Sequence, residues 1–144
     1  MKYYAVIDTN VFVSALLKRV SVPGNVAAHV LTGNIIPLLN DAIMSEYREV
    51  LSRAKFHFPE EAVKVFLQGI ADRGVYIDTG STEYVLPDPK DAVFYEVVME
   101  ARKERDSYLV TGNIKHFPIR TFVVTPREML DIIECAEEGN KRTV

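Results

Sequence analysis

Four residues of this 144-residue chain carry oxygen donors where alternating strands and helices could bring them together. Asp8 closes a first strand, Glu46 lies inside a helix, Asp91 opens another helix and Asn113 follows a later strand. Three carboxylates and an amide, with no histidine or cysteine set beside them, make a hard oxygen site of the kind that suits magnesium or manganese. Phosphodiester chemistry is the expectation from such a set. Doubly wound sheets place their ligands beyond the carboxyl ends of the strands, so Asp8 can face a crevice. It is equally a good N-cap for the next helix, a role that Thr9 and Asn10 could also fill.

Helix geometry separates the remaining acids. At about 100° per residue, Ile43, Met44, Tyr47, Val50, Leu51 and Ala54 form one apolar stripe. Glu46 falls about 100° from its centre, at the rim of the buried face, while Glu49 points nearly opposite and should be solvated. A surface charge near Arg53 is the competing reading of Glu46. Asp91 flanks the face made by Phe94, Val97, Val98 and Ala101 by about 80°. Asp88, held between Pro87 and Pro89, is expected to shape its loop. His29, His57 and His116 lack ligand spacing, which leaves zinc hydrolysis little support. Packing beside Phe117 is the expectation for His116, with a phosphate contact as the alternative. No GxSxG, GxxxxGK[ST] or GxGxxG sequence is present.

The elements that must position these residues follow from hydrophobic period and punctuation. Strands are predicted at 3–7, 35–39, 75–78, 108–111 and 122–125. Helices are expected from Val11 to Leu17, from a cap at Asn25 to Leu31, from a cap at Asp41 to about Ala54, over 60–74, from Asp88 or Asp91 onward, and from Pro126 to about Glu138. The stretch GSTEYVLPDPKD should be irregular, because its prolines forbid a regular helix. Strands alternating with helices favour an α/β fold with a parallel sheet covered on both faces. One domain over 1–138 is expected, with a polar tail at 139–144 that frays.

Hydrophobic residues make up 48% and charged residues 26%, and no apolar run approaches the roughly 18 residues of a membrane span. No cleavable export signal is visible at the N-terminus. Cys135 is the single cysteine, so an internal disulfide or cysteine cage is excluded. A reducing, cytoplasmic setting suits it, and its helical spacing suggests buried filler. The net charge of −3 argues against nucleic-acid binding through a broadly basic surface. Lys18, Arg19, Arg48, Arg53, Lys55, Lys115 and Arg120 lie near the candidate site in sequence and could contact phosphates, although solvated surface charge is the commoner role.

Taken together, DTNVFVSALL at 8–17, SEYREVLSRAKF at 45–56, DPKDAVFYEVVMEA at 88–101 and YLVTGNIKHF at 108–117 resemble the PIN-domain family of metal-dependent nucleases. The similarity covers about residues 2–134 and is greatest to the bacterial and archaeal branch of toxin–antitoxin toxins. It implies a three-layer αβα fold with a central parallel sheet of about five strands, and an acidic pocket for Mg2+ or Mn2+ with RNA as substrate. By that resemblance Asp8, Glu46 and Asp91 are the acidic ligands. Asn113 stands at the fourth position, where the family usually has aspartate, and Thr9, Asn10 and Thr111 would orient the carboxylates and water. An amide adds no negative charge, which favours one cation over two. An antitoxin protein and a homodimer are the partners implied. A non-catalytic PIN-like module binding RNA or protein is the alternative, and a receiver domain fits worse, because this chain lacks the paired acids after the first strand and the lysine after the fifth that such a domain would need.

Overall fold

A computed structural model describes residues 2–79, 86 and 88–142, with side chains as far as Glu137. Five strands run β1 Tyr3–Ile7, β2 Ile35–Leu39, β3 Val75–Tyr76, β4 Ser107–Val110 and β5 Val123–Val124. All pairings are parallel, in the order β3-β2-β1-β4-β5. Successive residues of a strand face opposite sides of the sheet, yet Ala5, Val6 and Ile7 are all fully buried, as are Leu38, Leu39, Leu109 and Val110. Helices therefore cover both faces of the sheet, as the apolar strand sequences require.

Those helices are α1 Thr9–Leu17, α2 Val22–Leu31, α3 Asp41–Leu51, α4 Glu60–Arg73, α5 Ala92–Ala101 and α6 Pro126–Arg142. The stripe read on α3 is buried through Leu51, and Phe94, Val97, Val98 and Ala101 of α5 are buried as expected. Phe12 of α1 meets Tyr47 of α3 and Phe66 of α4 edge-on, with ring centroids 5.0 and 5.1 Å apart, and Tyr47 also meets Phe94 of α5. This aromatic cluster ties together four of the helices behind the carboxyl edge of the sheet.

Several boundaries differ from expectation. Ser21, not Asn25, caps α2 by accepting a hydrogen bond from the Gly24 N–H at 3.0 Å, since Pro23 is tolerated in a first turn. Asn40 rather than Asp41 caps α3, accepting from the Ile43 N–H at 2.8 Å. That helix stops at Leu51 instead of Ala54, because Arg53 is extended and the chain then makes a 3-10 turn at Ala54–Phe56. Strand β3 covers two residues of the four expected, while α6 continues past Glu138 to Arg142. A reciprocal pair missed in the sequence starts α6: the Thr125 N–H donates to Glu128, and the Glu128 N–H donates to Thr125 Oγ1. Cys135 is exposed rather than buried. It lies about 200° around the helix from buried Ile133. Most of the stretch expected to be irregular, residues 80–85 and 87, lies outside the described residues.

Candidate active site

Chain order reverses direction in the sheet between β1 and β4, and at this switch point a crevice opens beyond the carboxyl ends of the two strands. Asp8 follows β1, and its N–H donates to the Val110 carbonyl at 2.9 Å, so the strand pairing itself fixes its backbone. Although Asp8 occupies the N-cap position of α1, its carboxylate makes no capping hydrogen bond. Instead Oδ2 accepts from the Thr111 hydroxyl at 2.7 Å, and Thr111 Oγ1 accepts from the Asn113 N–H at 2.9 Å. The loop after β4 thus orients the acid after β1.

Tyr47 performs the equivalent task for α3. Its buried hydroxyl donates to the carbonyl of Ile7, which pins the helix beside Asp8 and brings Glu46 to the rim of the crevice. Arg53 pairs with Glu49 at 3.5 Å and not with Glu46, which removes the surface-pair reading of Glu46. Asp88 accepts from the Lys90 N–H at 2.9 Å and so caps the 3-10 turn Pro89–Asp91. Asp91 has no capping bond and is free to turn inward, where its Oδ2 lies 3.2 Å from His116 Nδ1.

Asp8, Glu46, Asp91 and Asn113 line one cavity of about 230 Å³, together with Thr9 and Asn10. Arg53, Lys90 and His116 share its wall with Asp88, Val50 and Phe94. Packing beside Phe117 was thus the wrong expectation for His116. It stands three residues after Asn113, one turn of a 3-10 helix, so the spacing itself could have placed the two on one side. A larger groove of about 610 Å³ lies between α3 and α4, away from the buried acids.

The family model described as PIN domain matches residues 4–115. The chain belongs to the PIN domain family. Among solved structures, this PIN chain is similar to the crystal structure of VapBC2 from Rickettsia felis bound to a DNA fragment from their promoter. The two share 17% identity over 84% of this chain and 96% of that one, with a TM-score of 0.56, a likeness of fold. Among curated proteins none matches the sequence.

Electrostatics of the PIN crevice are unbalanced. Burial pushes the Asp8 carboxyl above its ordinary range, and nearby Asp91 pushes it further, against the pull of the Thr111 hydroxyl and of the Thr9 and Asn10 amides. Asp91 is raised by burial, then by Asp88, with His116 opposing and Glu46 adding to the rise. Such mutual repulsion is what a divalent cation relieves. Among the described residues, no three histidine, cysteine or acidic side chains converge closely enough to cage an ion alone. A hydrated Mg2+ ion, held through one or two carboxylates and several waters, would not require such a cage. The Thr9 hydroxyl, buried and without a protein partner, is a further polar atom matched to a hydrated ion.

Proposed function

We propose that this PIN chain is a magnesium- or manganese-dependent endoribonuclease and the toxin of a toxin–antitoxin pair. The observation that carries the reading is the convergence of Asp8, Glu46 and Asp91 on one cavity at the switch point, with raised Asp8 and Asp91 carboxyls. These three would hold a hydrated cation, one or two of them directly and the rest through its waters, and the bound ion would supply Lewis-acid chemistry for attack of water on a phosphodiester. Thr111 and Tyr47 keep Asp8 and the Glu46 helix in register, and His116 holds Asp91. Arg53 and Lys90 on the cavity wall offer charge to the phosphates flanking the cut, which leaves a 5′-phosphate and a 3′-hydroxyl. Asn113 contributes an amide oxygen without charge, in keeping with one cation.

The family resemblance to toxin–antitoxin toxins, with the fold likeness to VapBC2, supports an antitoxin partner whose arginine could reach Asp8 or Asp91 and cover the crevice. A homodimer is the default symmetry for such a chain.

Calorimetric titration with Mn2+, paired with cleavage of a structured RNA, tests the reading. Wild type should bind and cut, whereas Asp8→Asn and Asp91→Asn should do neither while remaining folded. Full activity in either variant would remove these residues from the site. Asn113 favours one rival, a non-catalytic PIN module, which predicts RNA binding by the pure wild-type protein without turnover in Mn2+.

A further inference from the structure

Asn10 and Asn113 line two cavities. One is the acidic crevice; the other is a second cavity of about 280 Å³. Their surroundings differ in kind. Arg53, Lys90 and His116 border the crevice, whereas none of the residues lining the second cavity is charged. An anion entering that neutral space would lose hydration with no cation to offset it. Val11, Pro23 and Pro126 give it apolar walls, and Ser14 adds a hydroxyl.

A flat heterocycle suits that lining, with faces against the proline rings and Val11 and edges toward the two amides and the hydroxyl. The volume falls just below the roughly 300–1,000 Å³ of ordinary small-molecule sites, enough for one base and too little for a longer segment. We propose that the second cavity is a nucleobase subsite, taking the base of the nucleotide next to the phosphate held over Asp8 and Asp91. The inference rests on the nuclease reading of the crevice for its register. The amide of Asn113 then has its own purpose: it both donates and accepts toward a base edge, whereas an ionised carboxylate only accepts.

Gly112 supplies the test. It lines the cavity, a Cβ added there meets nothing within 4 Å, and its backbone is outside the left-handed region, so a larger side chain fits at the cavity's edge without backbone strain. Ser14, exposed on α1, allows filling from another wall. Full-length wild type, Gly112→Leu and Ser14→Tyr would be given a random-sequence single-stranded RNA pool with Mn2+, and the cut ends sequenced. Binding of fluorescein-labelled U5, A5, C5 and G5 ribonucleotides would be measured by anisotropy, and Mn2+ affinity by calorimetry.

Wild type should show a base preference at one position beside the cut. Both variants should flatten it and bind the best pentanucleotide about fivefold or more weakly, the low end of one base's stacking contribution, with Mn2+ affinity unchanged. Unaltered preference and unaltered pentanucleotide affinity in both folded variants would overturn the subsite. If wild type does not cut, the nuclease reading fails and the anisotropy arm decides alone: selective loss in the filled variants upholds the subsite, and equal binding overturns it.

Discussion

Asp8 holds a carboxylate at 5% exposure, with its strongest hydrogen-bond support coming from Thr111, 103 residues later in sequence. Because burial and Asp91 raise its pKa, ionisation costs more in the folded chain than in the unfolded one. The sign follows: Asp8 favours folding below the ordinary carboxyl range, about pH 4, and that contribution is lost as pH rises through the raised value. Asp91 acts in the same direction. In metal-free buffer, Asp8→Asn should therefore melt a few degrees above wild type at pH 7, with the gap closing toward pH 4. A gap that stays constant with pH would show that the carboxylate is not penalised by its surroundings. The candidacy of Asp8, Glu46 and Asp91 was legible from residue type and helix angle. The pairing of His116 with Asp91 was not, since it depends on where two turns meet, whereas the exposure of Cys135 could have been read from its angle to Ile133.

Tyr47 links a helix to a strand, and its contribution belongs to that junction. Its hydroxyl is fully buried and donates to the Ile7 carbonyl, one residue before Asp8. Tyr47→Phe deletes this bond while keeping the aromatic contacts to Phe12 and Phe94, and should cost about 1–2 kcal/mol in urea denaturation. It should also weaken Mn2+ binding, because the Glu46 helix loses its tether; unchanged metal affinity would show that packing alone sets the helix. The apolar stripe around Tyr47 was readable from the sequence, but its hydroxyl bond was not, because the partner is a backbone group 40 residues away. Caps were legible only to within a few residues. SVPGN and NDA each offer two capping residues, and the earlier of each pair, Ser21 and Asn40, is the one that caps.

Across the whole molecule, a net charge of −3 coexists with Arg53 and Lys90 on the cavity wall and exposed Lys115 and Arg120 nearby in sequence. RNA binding should accordingly be local and cation-assisted. Labelled U5 should bind more weakly in EDTA than in Ca2+, and its log affinity should fall against log salt with a slope of about −2, as expected for two or three phosphate contacts to a single strand. Equal binding in EDTA would place the strand away from the acidic crevice. Alternation of strands and helices was enough to foresee a parallel α/β sheet. It could not give the order β3-β2-β1-β4-β5, since periodicity describes an element's own faces and not its neighbours. That order has a consequence during synthesis. The first strand leaves the ribosome more than a hundred residues before its neighbour β4 and the loop that steadies Asp8. A nascent chain holds no assembled crevice until β4 has emerged, so a polypeptide that stalls before Ser107 lacks the strand against which Asp8 is set.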